Sequence, residues 1–292
     1  MKNYSKTYFF INPLSGHHST QNLAMALERL QSWSIHPELF QVRTPADILA
    51  HCTTINNRGG TPLVVVAGGD GTINAVVNGL NPGLATLAVL PFGTSNVLAA
   101  EIGITSLDDA LERIKAGKTR PLSVGVLEME ERSLRFLLMA GIGLDGAVVR
   151  DVWPLGKRFL KQGAYALSAF KNTFVWDSST FQLRSPSEAA ACHSVIICNA
   201  SRYGGNFVLS PESSPFKTGL SAVCIRGNTR RTYLRCAVDL FTHRAESSNQ
   251  MIRMHSTTFE INGRQPIQLD GDFVGYGPAR ITEHFDFANI IV

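Results

Sequence analysis

The chain is poor in charge. Only 17% of its 292 residues are Asp, Glu, Lys or Arg, and the formal net charge is +4. With 44% apolar residues, that balance excludes a disordered chain, and the length favours two domains with sizeable cores. Lys and Arg form no long cluster with interleaved aromatics of the kind that single-strand binders use, so no nucleic-acid partner is expected. The mild basic excess suits a small anion or an acidic membrane surface. No apolar run approaches the roughly 18 residues that a bilayer-crossing helix needs. The polar start Met1–Lys6 carries no apolar leader core. These absences predict a cytoplasmic protein whose membrane contact, if any, is peripheral. Cys52, Cys192, Cys198, Cys224 and Cys236 form an odd set without CxxC spacing. Buried free thiols in a reducing compartment are expected, in preference to a metal site at Cys192, His193 and Cys198. Internal repeats, low-complexity segments and a GxxxxGK[ST] phosphate loop are also missing.

What is present centres on Gly68-Gly69-Asp70-Gly71-Thr72. It follows the β-branched run Leu63–Ala67 and precedes a helical pattern from Ile73, so the glycines fall at a strand-to-helix turn. Backbone approaches a ligand closely at such a turn, and the first N–H groups of a helix favour anions. A carboxylate there repels phosphate unless a divalent cation lies between, so Asp70 points to a nucleotide with a metal. Taken alone, the turn reads equally well as one in which Asp70 caps a helix. Two more apolar segments end similarly: Tyr8–Ile11 runs into Asn12-Pro13-Leu14-Ser15-Gly16, and Thr86–Leu90 into Pro91-Phe92-Gly93-Thr94-Ser95-Asn96. Three such loops at strand carboxyl ends suggest one shared site.

Strands near 7–11, 37–42, 63–67 and 86–90 alternate with helices near 20–32, 45–55, 73–80, 96–101 and 106–116. That alternation predicts an α/β domain with an open, mainly parallel sheet over residues 1–121. Beyond the linker Gly117–Pro121, strands near 122–130, 133–140, 180–184, 191–199, 219–226, 257–262 and 267–270 predict a mostly antiparallel β-sandwich over 122–280. Helices are expected at about 157–174 and 229–243. A cleft between the halves is the expected meeting place of nucleotide and second substrate.

Six motifs in order resemble the diacylglycerol kinase catalytic domain, in the bacterial lipid kinase branch related to sphingosine kinases. They are Asn12–Gly16, the Gly68–Thr72 GGDGT, Pro91–Asn96 (PxGTxN), Gly141-Ile142-Gly143-Leu144-Asp145 (GxGxD), Asn199 with Tyr203-Gly204-Gly205, and Asp270-Gly271-Asp272 with Gly275 and Pro278 (DGExxGxxP). GGDGT alone is shared with NAD kinases. The resemblance implies an NAD-kinase/diacylglycerol-kinase-like fold, with residues 281–292 returning to the first domain. It implies ATP-dependent phosphorylation of a lipid hydroxyl, on diacylglycerol, phosphatidylglycerol or a sphingoid base. The implied nucleotide site comprises Asn12, Ser15, Gly16, Thr44, Gly68, Gly69, Asp70, Gly71, Thr72, Gly93 and Thr94, with Mg²⁺ at Asp70. Asp272 is the implied base, assisted by Asp145.

Several positions carry a second reading. Thr44 before Pro45-Ala46-Asp47 is fully explained as a helix N-cap, and Asn96 as a loop or cap residue. Asp272 replaces a family Glu with a stem shorter by one C–C bond, roughly 1.5 Å. Thr218 after Lys217 stands where many relatives carry a magnesium-binding Asp, so a second, structural Mg²⁺ is not expected. Val97, Ala100 and Ser123 depart on the acceptor side. Helix 157–174, with its basic and aromatic residues, and Arg230, Arg231 and Arg235 read either as solvated faces or as contacts to an anionic bilayer. The rival functions are a silent nucleotide- or lipid-binding protein and an NAD kinase.

Overall fold

A computed structural model describes residues 4–16, 19–151, 179–203, 205, 207–242 and 244–292. It divides into two compact units, Met1–Ser123 with Phe285–Val292, and Val124–His284. The helix expected near 157–174 lies outside the described residues.

Unit 1 is the α/β domain. Its strands β1 (Thr7–Ile11), β2 (Glu38–Gln41), β3 (Leu63–Gly68) and β4 (Thr86–Pro91) are parallel, in the order β2-β1-β3-β4. β1 and β3 are buried throughout, which is why they read as unbroken apolar runs. Helices α1 (Thr20–Ser32), α2 (Pro45–Arg58), α3 (Asp70–Gly79), α4 (Val97–Glu101) and α5 (Leu107–Ala116) connect them. Ser19, Thr44 and Ser106 cap α1, α2 and α5, and Thr44 completes a capping box with Asp47.

Unit 2 is antiparallel. β5 (Thr119–Met129), which enters this unit at Val124, pairs with β6 (Arg132–Phe136), and β7 (Met139–Gly143) leads into helix α6 (Leu144–Asp151). Then come β8 (Phe181–Arg184), β9 (Ala189–Cys192), β10 (Ser194–Cys198), the small ribbon β11 (Arg202–Tyr203) and β12 (Phe207–Val208), and β13 (Leu220–Ile225). Helix α7 (Arg230–Phe241) precedes β14 (Met251–Ser256), β15 (Thr258–Asn262), β16 (Pro266–Leu269), β17 (Asp272–Tyr276) and β18 (Ala279–Ile291). One sheet runs β14-β13-β10-β7-β16-β17. Facing it are β9, β8, β15 and residues 279–282 of β18. Between the layers lie Phe136, Ile142, Leu183, Val195, Phe259 and Ile267, all fully buried. Gly125 is bare because the Phe136 ring fills its Cβ position, 2.0 Å away. The rest of β18 belongs to unit 1, where Asn289 and Ile290 pair in parallel with Thr86 and Leu87 of β4.

Two strands expected as continuous are each broken at a corner. The 133–140 run splits into β6 and β7 because the amides of Leu137, Leu138 and Met139 are taken by the Asp270 carboxylate. The 191–199 run splits at His193, whose amide donates to Ile225 O and whose Nδ1 meets Tyr233 Oη at 2.6 Å. The first corner is apolar throughout and the second, His193-Ser194, is buried between apolar strands, so periodicity carried no sign of either. All five cysteines are free and buried. Among the described residues no helix is long and apolar enough to cross a membrane.

Phe287, fully buried in unit 1, anchors the returning end of the chain. Phe287→Ala is expected to cost about 3–5 kcal/mol, read as a lower urea midpoint.

Candidate functional site

In unit 1 the parallel strands deliver their carboxyl-end loops to one edge of the sheet. The chain leaves β1 toward β2 on one side, and β3 flanks β1 on the other, so β1 and β3 bracket the switch point where α/β sheets bind ligands. Asn12 and Thr72 span that point: Asn12 Nδ2 donates to Thr72 Oγ1 at 2.9 Å, while Asn12 Oδ1 accepts the Leu14 amide at 3.0 Å. The Ser15 amide donates back to Asn12 O, closing the first loop as a turn.

The glycines bring the loops together. A Cβ on Gly16 would lie 2.1 Å from Thr94 Oγ1, and one on Gly93 would lie 2.4 Å from Gly69 Cα. Gly68 is similarly closed by Thr72, at 2.7 Å. Gly71 differs, since a Cβ there would meet nothing within 4 Å. It faces open space in the first turn of α3, a helix whose N-cap Gly69 supplies no side-chain cap. The Cβ side of this turn is therefore open. Asn96, held in the left-handed region at φ +46°, donates to Pro91 O and Gly93 O and fixes the third loop.

Asp70 does cap a helix, but not its own. Its two carboxylate oxygens accept the amides of Val97 (3.1 Å) and Leu98 (3.0 Å) at the start of α4. Each oxygen keeps a further lone pair, so this capping and a cation contact are compatible. Among the described residues no three His, Cys, Asp or Glu side chains gather as a metal cage. A lone carboxylate suits Mg²⁺, which takes most of its ligands from water and phosphate. Thr44 lies just past the end of β2, and its Oγ1 accepts the Asp47 amide at 3.2 Å.

Unit 2 holds the other candidates. Asp145 sits half-buried in the first turn of α6, beneath Gly141, whose absent Cβ leaves room for Asp145 Oδ2. Tyr203 Oη donates to Asp145 Oδ1, and Gln268 Nε2 to Oδ2 at 2.8 Å. Burial pushes the Asp145 carboxyl above the usual Asp range, and these two donors pull the other way. Gln268 Oε1 in turn accepts the Gly271 amide at 2.7 Å, so Asp145 is tied to the turn that carries Asp272. Asp272 is exposed at the start of β17, opposite Leu269, whereas Gln268 is opposite Phe273. Cross-strand partners share a face, so Asp272 and Gln268 issue from opposite faces of the ribbon.

Asp270, quoted in the motif but given no role by sequence reasoning, anchors this region. With φ +48° it accepts the amides of Leu137 (2.7 Å), Leu138 (2.9 Å) and Met139 (2.9 Å). Asn199 secures the same corner through Nδ2 to Leu137 O at 2.7 Å. Tyr203 and Gln268 also went without a role: their partner Asp145 is remote in sequence, and only the family spacing placed Tyr203 near a motif. Gly204 lies outside the described residues. At the Thr218 segment, the Gly219 amide donates to Glu283 Oε2 at 2.8 Å.

Two family profiles match: the diacylglycerol kinase catalytic domain over residues 6–127, and the YegS C-terminal NAD kinase beta sandwich-like domain over 139–290. A Bacillus subtilis (strain 168) protein named "Putative lipid kinase YtlR" is 25% identical over 298 residues, spanning 95% of this chain and 96% of its own. A crystal structure from Bacillus anthracis str. Sterne, described as "a putative diacylglycerol kinase", superposes with a TM-score of 0.80 at 18% identity, covering 100% of this chain and 96% of its own. An NAD kinase from Archaeoglobus fulgidus, solved in complex with ATP, gives 0.52 at 14% identity, covering 98% and 93%. These structural likenesses are of fold.

Tyr203→Phe removes a donor that favours charged Asp145, so its proton is held to higher pH than in the wild type. A folded-state pKa raised further above the unfolded value lowers stability as pH climbs between the two. The variant's stability deficit is expected to be smallest in acid, below the ordinary Asp range, and to widen as pH rises. Urea titrations across the acidic range check this, and a deficit independent of pH would remove Asp145 as its source.

Proposed function

The chain belongs to the diacylglycerol kinase catalytic domain family, in its YegS-like lipid kinase branch, and on that premise we propose that it transfers the γ-phosphate of ATP to a lipid hydroxyl. The observation that carries this reading is the junction of three loops at the switch point of unit 1. There Asn12 bonds Thr72, Gly16 meets Thr94, and Gly69 meets Gly93. Ser15 and the backbone at Gly16, Gly69, Gly71 and Gly93 would bind the phosphates, with Gly68 and Thr72 shaping the turn and Thr44 and Thr94 lending hydroxyls. Asp70 would hold Mg²⁺ from its remaining lone pairs. The ion supplies charge neutralisation on the phosphate oxygens.

On the acceptor side, exposed Asp272 accepts the proton of the lipid hydroxyl. Asp145 positions the turn through Gln268 and the Gly271 amide. Phosphoryl transfer asks mainly for positioning and charge compensation, and neither a covalent phospho-enzyme nor a Walker lysine is needed. One feature favours a second reading, a silent nucleotide- or lipid-binding protein: the shorter Asp272 stem, since a misplacement of about 1 Å can cost on the order of a hundredfold in rate.

The test is labelled-phosphate transfer from ATP–Mg²⁺ to a panel of lipid hydroxyls in mixed micelles, with NAD as a rival acceptor. Transfer to one lipid class is expected, lost in Asp70→Asn and reduced about 10²- to 10⁴-fold in Asp272→Asn. Asp272→Glu is expected to keep activity. ATP binding without transfer to any acceptor would select the silent protein, and transfer to NAD the NAD kinase.

A further inference from the structure

Helix α7 has an inner and an outer face of opposite character. Thr232 and Cys236 are buried, and Tyr233 Oη is hydrogen-bonded to His193 Nδ1. On the opposite side of the helix, at 3.6 residues per turn, stand Leu234 and Val238. They are 68% and 52% exposed and one turn apart. Arg230, Arg231 and Arg235, all exposed, bracket them. None of the three is in an ion pair among the described residues. At the end of the helix, Arg235 and Arg244, with Ser247, Ser248 and Asn249, line a polar cavity of about 350 Å³. The Asp239 carboxylate that also borders it already accepts Ser248 Oγ at 2.5 Å.

An apolar stripe in a basic frame is complementary to an anionic bilayer, where phosphates take the guanidiniums and the acyl boundary takes the stripe. A second copy meeting this face through its own α7 would set arginines against arginines. We propose that the outer face of α7 docks the protein on an anionic lipid surface. The inference rests on the lipid kinase reading for its purpose, while its geometry stands alone. α7 packs against β12, whose partner strand β11 carries Tyr203, the donor to Asp145. The helix that carries the docking face is thus joined through β12 and β11 to Asp145 within unit 2.

The full chain is to be co-sedimented with vesicles of phosphatidylcholine alone and of phosphatidylcholine with phosphatidylglycerol. Binding to the anionic vesicles is expected, and weakens with salt. Replacing Arg230, Arg231 and Arg235 by serine should weaken it about fivefold per arginine. Leu234→Ser with Val238→Ser should weaken it about tenfold at any salt concentration. Leu234→Trp supplies an independent readout: its emission shifts to the blue on anionic vesicles if the stripe enters the interface. Equal binding to both vesicle types, an arginine variant that binds like the wild type, or an unshifted Leu234→Trp spectrum would each overturn the proposal. So would self-association that disappears in the Leu234/Val238 variant, which assigns the face to a second copy. Transfer to a dispersed short-chain acceptor separates the two readings. If the kinase reading holds, the α7 variants transfer as the wild type does. Wild type that binds vesicles yet phosphorylates no lipid would sink the kinase reading and leave the docking face standing.

Discussion

In unit 2 the decisive interaction is one carboxylate serving three consecutive amides. Leu137, Leu138 and Met139 lie where the chain passes from one sheet to the other, and no ladder partner takes their N–H groups. Buried unsatisfied amides cost about 1–3 kcal/mol each, so the corner stands only because Asp270 accepts all three. The rest follows by connection. The corner sets β7, β7 sets the first turn of α6, and that turn presents Asp145 to Tyr203 and Gln268. Unit 1 uses the same device on a smaller scale, with Asp70 reaching across to the first amides of α4. In each unit an Asp beside glycines fastens a remote segment by its backbone, without requiring any particular side chain there.

Glycine has two different uses at the nucleotide-side loops. Gly16, Gly69 and Gly93 are small because other loops press on them, and a methyl group at any of them would prise the loops apart. Gly71 is small with nothing against it. A motif read as uniformly permissive is thus partly internal packing and partly an open approach.

Much of this was legible in the residues. The parallel domain followed from β-branched runs alternating with helical patterns, and Thr44 before Pro45-Ala46-Asp47 announced where α2 begins; the Ser19 and Ser106 caps of α1 and α5 emerged only from the structure. The loops announced themselves by composition. What stayed hidden was long-range. Nothing near Asp70 points to Val97, and nothing near Asp270 points to Leu137, since these partners are met only after the fold exists. The corners at Leu137–Leu138 and His193 were invisible for a related reason: both are apolar or flanked by apolar strands, and burial pattern alone does not record which sheet a strand joins. β17 was missed because its residues are exposed or half-buried on a sheet edge and lack a clean alternation.

β18 gives residues 279–284 to unit 2 and 285–291 to unit 1, where it lies beside β4. The sandwich is therefore translated before the strand that flanks β4. At about 5–20 residues per second, the flank of β4 waits on the order of ten seconds or more without its neighbour. For that interval the nascent first domain carries an open strand edge, and its completion is timed by translation of everything between.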